Sequence, residues 1–592
     1  MKTYSRKVSL LNIQKIDLGI LNFIKKRYAV HQGIFFLSIF LLLHFFVSFT
    51  NLTYAQNLSG LGDTKPVTLS GGFSSQGTFY NASGIASRRD PFFWMLNGNV
   101  NINLYGIDIP ISVTFTQQQR NFTQPFNQFG LSPTYKGVTA HLGYRSLNFS
   151  QFSLSGNVFL GAGIEVAPQN SFVRGTILYG RFVRAVPVGG IDGLVTGVPA
   201  YERMGYGAKI GLGRNPERTV ELMFFKAKDD ENTVNPNVAA TSALSPAENL
   251  VIGLVGKQQL TKRLFFDVDY AFSAYTKDIR LGRSELDSYK SFNNLGSLFT
   301  PNASSQFNNA IHSNLSYRLD NYEFKVSYRR IDPEFKSMGA IFLNNDLEDI
   351  TGGFSLRALQ NKLTFSANGG IQRNNLNSDL LSRLTRGIWA LNIAYAPNQK
   401  FSLNASYNNF ASSTRLVQVE ELDSLFYSQV TRSAGFGINY LAGTSRVKHL
   451  LFSNLNYQAA RDNNAGNSTF YSIATGYQYN IVPLAFNITA SFNINNNTFG
   501  AFDNLTVGPA LAVNKAFLQK KMKVGIATTL VNLYNTGVLS SRNINIRLVN
   551  NYIINKHHAL SFNINWLDRS ALLNTVKSFN EFRGSLGYNY RF

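Results

Sequence analysis

Long stretches of this chain alternate apolar and polar residues, and that period of two limits what it can fold into. "LAFNITASFNI" puts Leu484, Phe486, Ile488, Ala490, Phe492 and Ile494 on one side and Asn487, Thr489, Ser491 and Asn493 on the other. "FSLNASYN", from Phe401, and "LSFNINW", from Leu560, repeat the pattern with Asn and Ser on the polar side. Alternation of this kind belongs to a β-strand with two unlike faces. Strands of soluble sheets usually run to about 5–6 residues. These segments reach the roughly 9–11 residues that a tilted strand needs to cross a bilayer. The apolar side carries aromatics near segment ends, as expected of anchors at a lipid–water interface, and the polar side suits a wet lumen.

Composition agrees. Aromatics make up 13% of the 592 residues, with 48 Phe and 28 Tyr, while charged residues are only 15%. That mixture favours strands over long soluble helices. There are no cysteines, which excludes disulfides, thiolate metal sites and cysteine nucleophiles. The formal charge is +23. Part of it sits in residues 1–55, where Lys2, Arg6, Lys7, Lys15, Lys25, Lys26 and Arg27 face one acid, Asp17, leaving +17 for residues 56–592. The remainder shows no dense basic block and no zinc-finger spacing, so nucleic acid is not an expected partner.

The front of the chain reads as an export signal. Lys25, Lys26 and Arg27 precede "GIFFLSIFLLLHFFVSF" (Gly33 to Phe49), and Thr53-Tyr54-Ala55 follows. A basic region, an apolar run and a small residue at the exit mark a cleavable signal peptide, 1–55, with cleavage near Ala55. The alternative is a permanent membrane helix at the short limit of spanning length.

The connections also alternate. Short ones such as Asp320-Asn321, "APNQK", "AGTSR" and "NKHH" are separated by long polar ones, including Lys277–Ser305, Arg330–Leu347 and Ser412–Ser428. Short turns on one side and long loops on the other are the transmembrane-barrel arrangement, with the short side toward the periplasm. A bilayer also requires closure, because an open edge in hydrocarbon leaves backbone groups unpaired at several kcal/mol each. The expected fold is all-β: a large single-chain antiparallel β-barrel over 66–592, of about 24–26 strands, an even number so that both ends lie on one side. Residues 56–65 form a short lead-in, too short for an N-terminal plug domain, which argues against a plug-bearing TonB-dependent transporter. The Gly- and Pro-rich stretch 127–199 breaks the rhythm. It is expected either to fold inward as a lumen constriction or to form bulged strands and surface loops.

The last residues, "LGYNYRF", place Leu586, Tyr588, Tyr590 and Phe592 at every second position and end on an aromatic. This resembles the C-terminal signature of bacterial outer-membrane barrel proteins. The resemblance implies a barrel-closing strand, handling by the barrel-assembly machinery of that membrane, and an outer-membrane location in contact with its lipid. The abundance of Asn, Phe and Tyr looks like a Bacteroidota-type outer-membrane protein.

Six charged residues are expected on the lumen side by parity: Asp267, Asp269, Glu323, Lys325, Arg329 and Arg547. Such groups set channel selectivity or pair across strands. His141, His312, His449, His557 and His558 show no metal-ligand spacing, and there is no nucleophile elbow or phosphate loop. "DDEN", Asp229 to Asn232, reads as a solvated loop tip rather than a calcium site. No catalytic residue, cofactor or metal site is expected. The expected role is a transport channel or pore for polar solutes. The alternatives are a non-conducting structural, assembly or secretion component, with a periplasmic or outer-membrane partner, and a barrel enzyme.

Overall fold

The computed structural model describes residues 67–592 except 118–125, 187–198, 236–243, 285–292, 294, 296–297, 342, 380–381, 417–426, 463–466 and 574–575. The export signal, its cleavage point, the lead-in and the question of an N-terminal plug therefore lie outside the described residues.

Alternation becomes a closed antiparallel barrel of 26 strands, running in chain order from Val67–Ser83 to Phe579–Arg591. Each strand pairs with its neighbours in sequence. One stave, between Ile107–Thr116 and Val138–Arg145, is broken at Ser132-Pro133 into Gln128–Leu131 and Thr134–Tyr135. Proline has no N–H to give the ladder, which accounts for the break. The circle closes where Val67–Ser83 pairs with Phe579–Arg591, from Gly72 opposite Arg591 to Ser83 opposite Asn580. The Phe592 N–H adds a bond to the Gly71 carbonyl, 3.2 Å. Closure leaves no strand edge among these ladders.

Tight turns fix the registers. Tyr105-Gly106, Lys136-Gly137 and Thr536-Gly537 each carry two residues with positive φ. This is the mirror-image turn whose twist matches that of the flanking strands, and glycine holds its second position without a Cβ penalty. Turns at the end that holds the chain's last residue are short, from Tyr105-Gly106 to Asn555–His557, while the opposite end carries the long connections.

The outward face is apolar. Ile177, Leu222, Ile252, Ile371, Trp389 and Leu511 are large, exposed and on the same side of their strands. An exposed apolar belt on a closed barrel is the solution for a chain whose outer solvent is hydrocarbon.

The inner face is not uniformly polar. Phe225 and Ala227 alternate with the outward Leu222 and Phe224, yet both are fully buried. Two connections fold inward over them. Segment 146–157 follows Val138–Arg145, and segment 332–346 follows Tyr322–Ile331. Leu147, Phe149 and Leu154 pack with Phe159, Phe182 and Phe225. Phe152 and Phe335 pack with Val251, Ala271, Ala310 and Ile331. The segments also join each other through a parallel pairing of Leu154–Ser155 with Gly339–Ala340. A side chain at Gly339 would meet the Ser153 carbonyl at 2.5 Å and the Phe225 ring at 2.8 Å, so the close approach requires glycine there.

Within the stretch 127–199, the described residues that fold inward are 146–157. The other described residues of that stretch form staves and the turns between them, and a second inward piece comes from 332–346, which reads in sequence as an exposed polar loop.

A smaller core lies on the outer wall. Phe299, from the connection after Leu264–Thr276, covers Leu250 and Ala274. It also caps the buried Lys226–Glu248 ion pair, with the Lys226 ammonium 5.5 Å from its ring centre. Two opposite charges on lipid-side positions are tolerable because they neutralise each other and are shielded there.

Candidate transport lumen

Barrel register assembles one row of polar side chains across six adjoining strands. Asp269 lies opposite His312, His312 opposite Arg329, Arg329 opposite Asp349, Asp349 opposite Gln372, and Gln372 opposite Arg386. All six occupy inward positions, and the row runs along the wall beneath the inward segments.

Its members from Arg329 to Arg386 are joined by hydrogen bonds. The Arg329 guanidinium donates through Nε and Nη2 to Asp349 Oδ2, at 2.8 and 2.6 Å. Gln372 Nε2 donates to the same oxygen at 3.2 Å, and Arg386 Nη1 donates to Gln372 Oε1 at 3.5 Å. His312 bridges the wall and an inward segment: Nδ1 meets Gln151 Nε2 at 2.9 Å and Nε2 meets Ser327 Oγ at 3.1 Å. The Asp269 carboxyl is directed at Ser150 and Gln151 of the same segment. Asp349 is almost fully buried, so its pairing with Arg329 offsets the desolvation of a carboxylate.

Beside the row lies a cavity of about 640 Å³ between the wall and segment 332–346. Arg329, Gln372 and Arg386 of the wall and Asn344, Asn345 and Asp346 of the segment line it, with Leu343 and Leu384 as partly exposed apolar members over the buried Phe152 and Ile331. Asp346 is already engaged, accepting the backbone N–H groups of Asn375 and Leu376 at 3.0 and 2.9 Å.

The six charged residues singled out from sequence all occupy lumen positions, but they do not form one cluster. Asp269 and Arg329 belong to the row. Glu323 sits near the short-turn rim, 3.5 Å from Arg318. Asp267 lies opposite Lys257 and Asn314. Lys325 and Arg547 are exposed to the lumen. Arg329 is not the open cation that sequence parity suggests, because Asp349 holds it. Asp349, Gln372, Arg386 and Arg318 escape a sequence reading. Their strands are legible, but which residues meet across strands depends on register.

The closing residues Leu586 and Tyr588 face outward on the last stave, and Phe592 packs 6.0 Å from Phe73 across the seam. His449 Nδ1 meets the Tyr477 hydroxyl at 2.6 Å and His558 Nδ1 that of Tyr588 at 2.7 Å, both on the outer face near the short turns. His557 meets the Arg591 carbonyl at 2.8 Å, and His141 meets Ser132 Oγ at 3.0 Å. Asp229 does not sit at a solvated loop tip. It is buried, accepts two bonds from Arg203 at 2.8 and 3.1 Å, and accepts the Ala247 N–H. Asp230 caps the short 3₁₀ turn Glu231–Thr233. Among the described residues no group of three or more His, Asp or Glu side chains is placed to hold a metal.

The later arc of the wall has a different character. Asn392, Asn404, Ser406, Asn454 and Asn456 line an open recess of about 410 Å³ on the inner face.

No protein-family model matches the sequence, and no curated protein matches it either. Solved structures do. The FrpB iron transporter from Neisseria meningitidis (F3-3 variant) aligns with a TM-score of 0.36 at 12% identity, over 90% of this chain and 82% of that one. The copper transporter OprC gives 0.37 at 8% identity, over 88% and 80%. The translocation pore of the P pilus usher PapC gives 0.34 at 11% identity, over 88% and 98%. At these scores none of their properties is carried over to this chain.

Proposed function

We propose that this protein is an outer-membrane barrel that passes polar solutes through a bore narrowed on one side by segments 146–157 and 332–346. The observation that carries the reading is the division of the inner wall. On one arc those segments cover and bury the inward apolar residues, while the other presents Asn and Ser side chains to open space. A wall built to be wet over a whole arc suits conduction, whereas a sealed lumen would gain from apolar filling on every side. The excess of bases over acids, a formal +17 for residues 56–592, supports a preference for anions. Outer-membrane lipid and the barrel-assembly machinery are the partners this reading implies. The composition supports a Bacteroidota-type source and the leader an exported chain. The site residues suggest no catalytic chemistry.

A second reading has its own support. The inward segments are held by apolar packing as well as hydrogen bonds, which suits a barrel that is closed at rest and opens with a partner.

Conductance of the refolded chain, Gln56 to Phe592, in a planar bilayer separates the two. The first reading expects stable, anion-preferring steps. A folded, heat-modifiable barrel that stays silent contradicts it and favours the second.

A further inference from the structure

We infer that the cavity between segment 332–346 and the barrel wall is a binding site for a compact organic carboxylate, with Arg386 as the group that holds the anion. The inference rests on the solute-passing reading and narrows it to a substrate class.

Three observations converge on this cavity. The first is charge. Arg329 is occupied by Asp349, and Arg373 pairs with Glu348. Arg386 has no ion-pair partner among the described residues. Its contacts are the Gln372 amide oxygen at 3.5 Å and the Phe410 ring, 5.0 Å from the guanidinium carbon. Arg386 therefore lies at the cavity wall with most of its five donors uncommitted, and a guanidinium matches a carboxylate with two parallel bonds. The nearest acid in the lining, Asp346, is turned to backbone N–H groups and does not compensate it.

The second observation is the apolar floor. Leu343 and Leu384 present partly exposed side chains to the cavity that holds Arg386, backed by the buried Phe152 and Ile331. A bare inorganic anion would leave that surface wet, whereas an anion carried on an aromatic or branched aliphatic body would cover it. The third is size. About 640 Å³ is within the range of small-molecule sites and exceeds what a single ion needs.

Binding can be read without relying on conduction. Detergent-refolded protein is titrated calorimetrically at low ionic strength with benzoate, and with benzamide as the neutral counterpart of equal shape. The expected result is saturable benzoate binding, no detectable benzamide binding, and at least about tenfold weaker benzoate binding for Arg386→Gln, the scale of a lost charge-assisted pair. Arg386→Lys, which keeps the charge and loses the fork, should fall between. Arg547→Gln, a lumen cation outside the cavity, should match wild type. Heat-modifiable migration confirms that each variant is folded, and Leu343→Asp, which spoils the floor from within the loop, gives an independent loss. Absence of benzoate binding to wild type, equal binding of benzamide, or unchanged affinity in Arg386→Gln would overturn the site. Benzoate binding with an electrically silent barrel would keep the site and remove the conduction reading. Conduction without benzoate binding would do the reverse.

Discussion

Two arcs of the same barrel solve the lumen problem differently. From Phe159–Val166 through Leu347–Ala358, staves are 8 to 14 residues long, and beneath the inward segments their inner face buries apolar residues beside the polar row that starts at Asp269. From Ser382–Asn398 through Phe579–Arg591 they are 13 to 17 residues long and turn Asn, Ser and Thr inward. In the first arc the chain supplies its own contents, so the part of the inner face beneath the inward segments becomes a dry core. In the second nothing described covers the wall, and polar side chains meet water. What faces a stave from within dictates its inner residues as firmly as lipid dictates its outer ones.

Removing the glycine that lets the two inward segments meet should blur this contrast most. Gly339→Val places side-chain atoms where the Ser153 carbonyl and the Phe225 ring already lie. Single-channel conductance should rise several-fold, and added protease should cut within 332–346. Unchanged conductance with the segment still protected would show that docking does not depend on that contact.

Truncating the dry core comes next. Phe225 is fully buried among Phe182, Leu154 and Met338. Phe225→Ala should lose about 3–5 kcal/mol of local packing, seen as a lower temperature for the heat-modifiable shift. A variant as stable as wild type would mean that the inward segments are only loosely seated.

Arg329→Gln tests the row. It leaves Asp349 buried without its cation, which costs about 3–5 kcal/mol if the carboxylate stays charged. The expected signature is a reversal potential shifted toward cations, and a shift toward anions would contradict the assignment. The smallest effect belongs to the wet arc. Asn404→Leu is on an exposed lumen position and should change stability by no more than about 0.5 kcal/mol.

The fold was largely legible in the sequence, because alternation and turn chemistry are local. The inward segment 146–157 lies in the stretch where an inward fold was one of two expectations, but 332–346 was not legible, since Arg330–Leu347 reads as another polar loop. A signal nevertheless exists. "ENLVIGLVG", from Glu248 to Gly256, is apolar on both faces through Leu250, Val251 and Ile252. A continuous apolar run marks a strand covered on both sides, and Phe335 and Met338 are large apolar residues in a loop otherwise assigned to water. The Arg329–Asp349–Gln372–Arg386 row lay beyond reach for another reason. Its members are 20, 23 and 14 residues apart in sequence and meet only through register.

The most direct test of the two-arc account uses the fact that the chain has no cysteine. Single substitutions Ala271→Cys, beneath the docked segments, and Asn404→Cys, on the open arc, are placed in the folded barrel and exposed to a water-soluble maleimide. The account predicts rapid labelling at position 404 and protection at position 271 until the protein is unfolded. Equal labelling at both positions would contradict it.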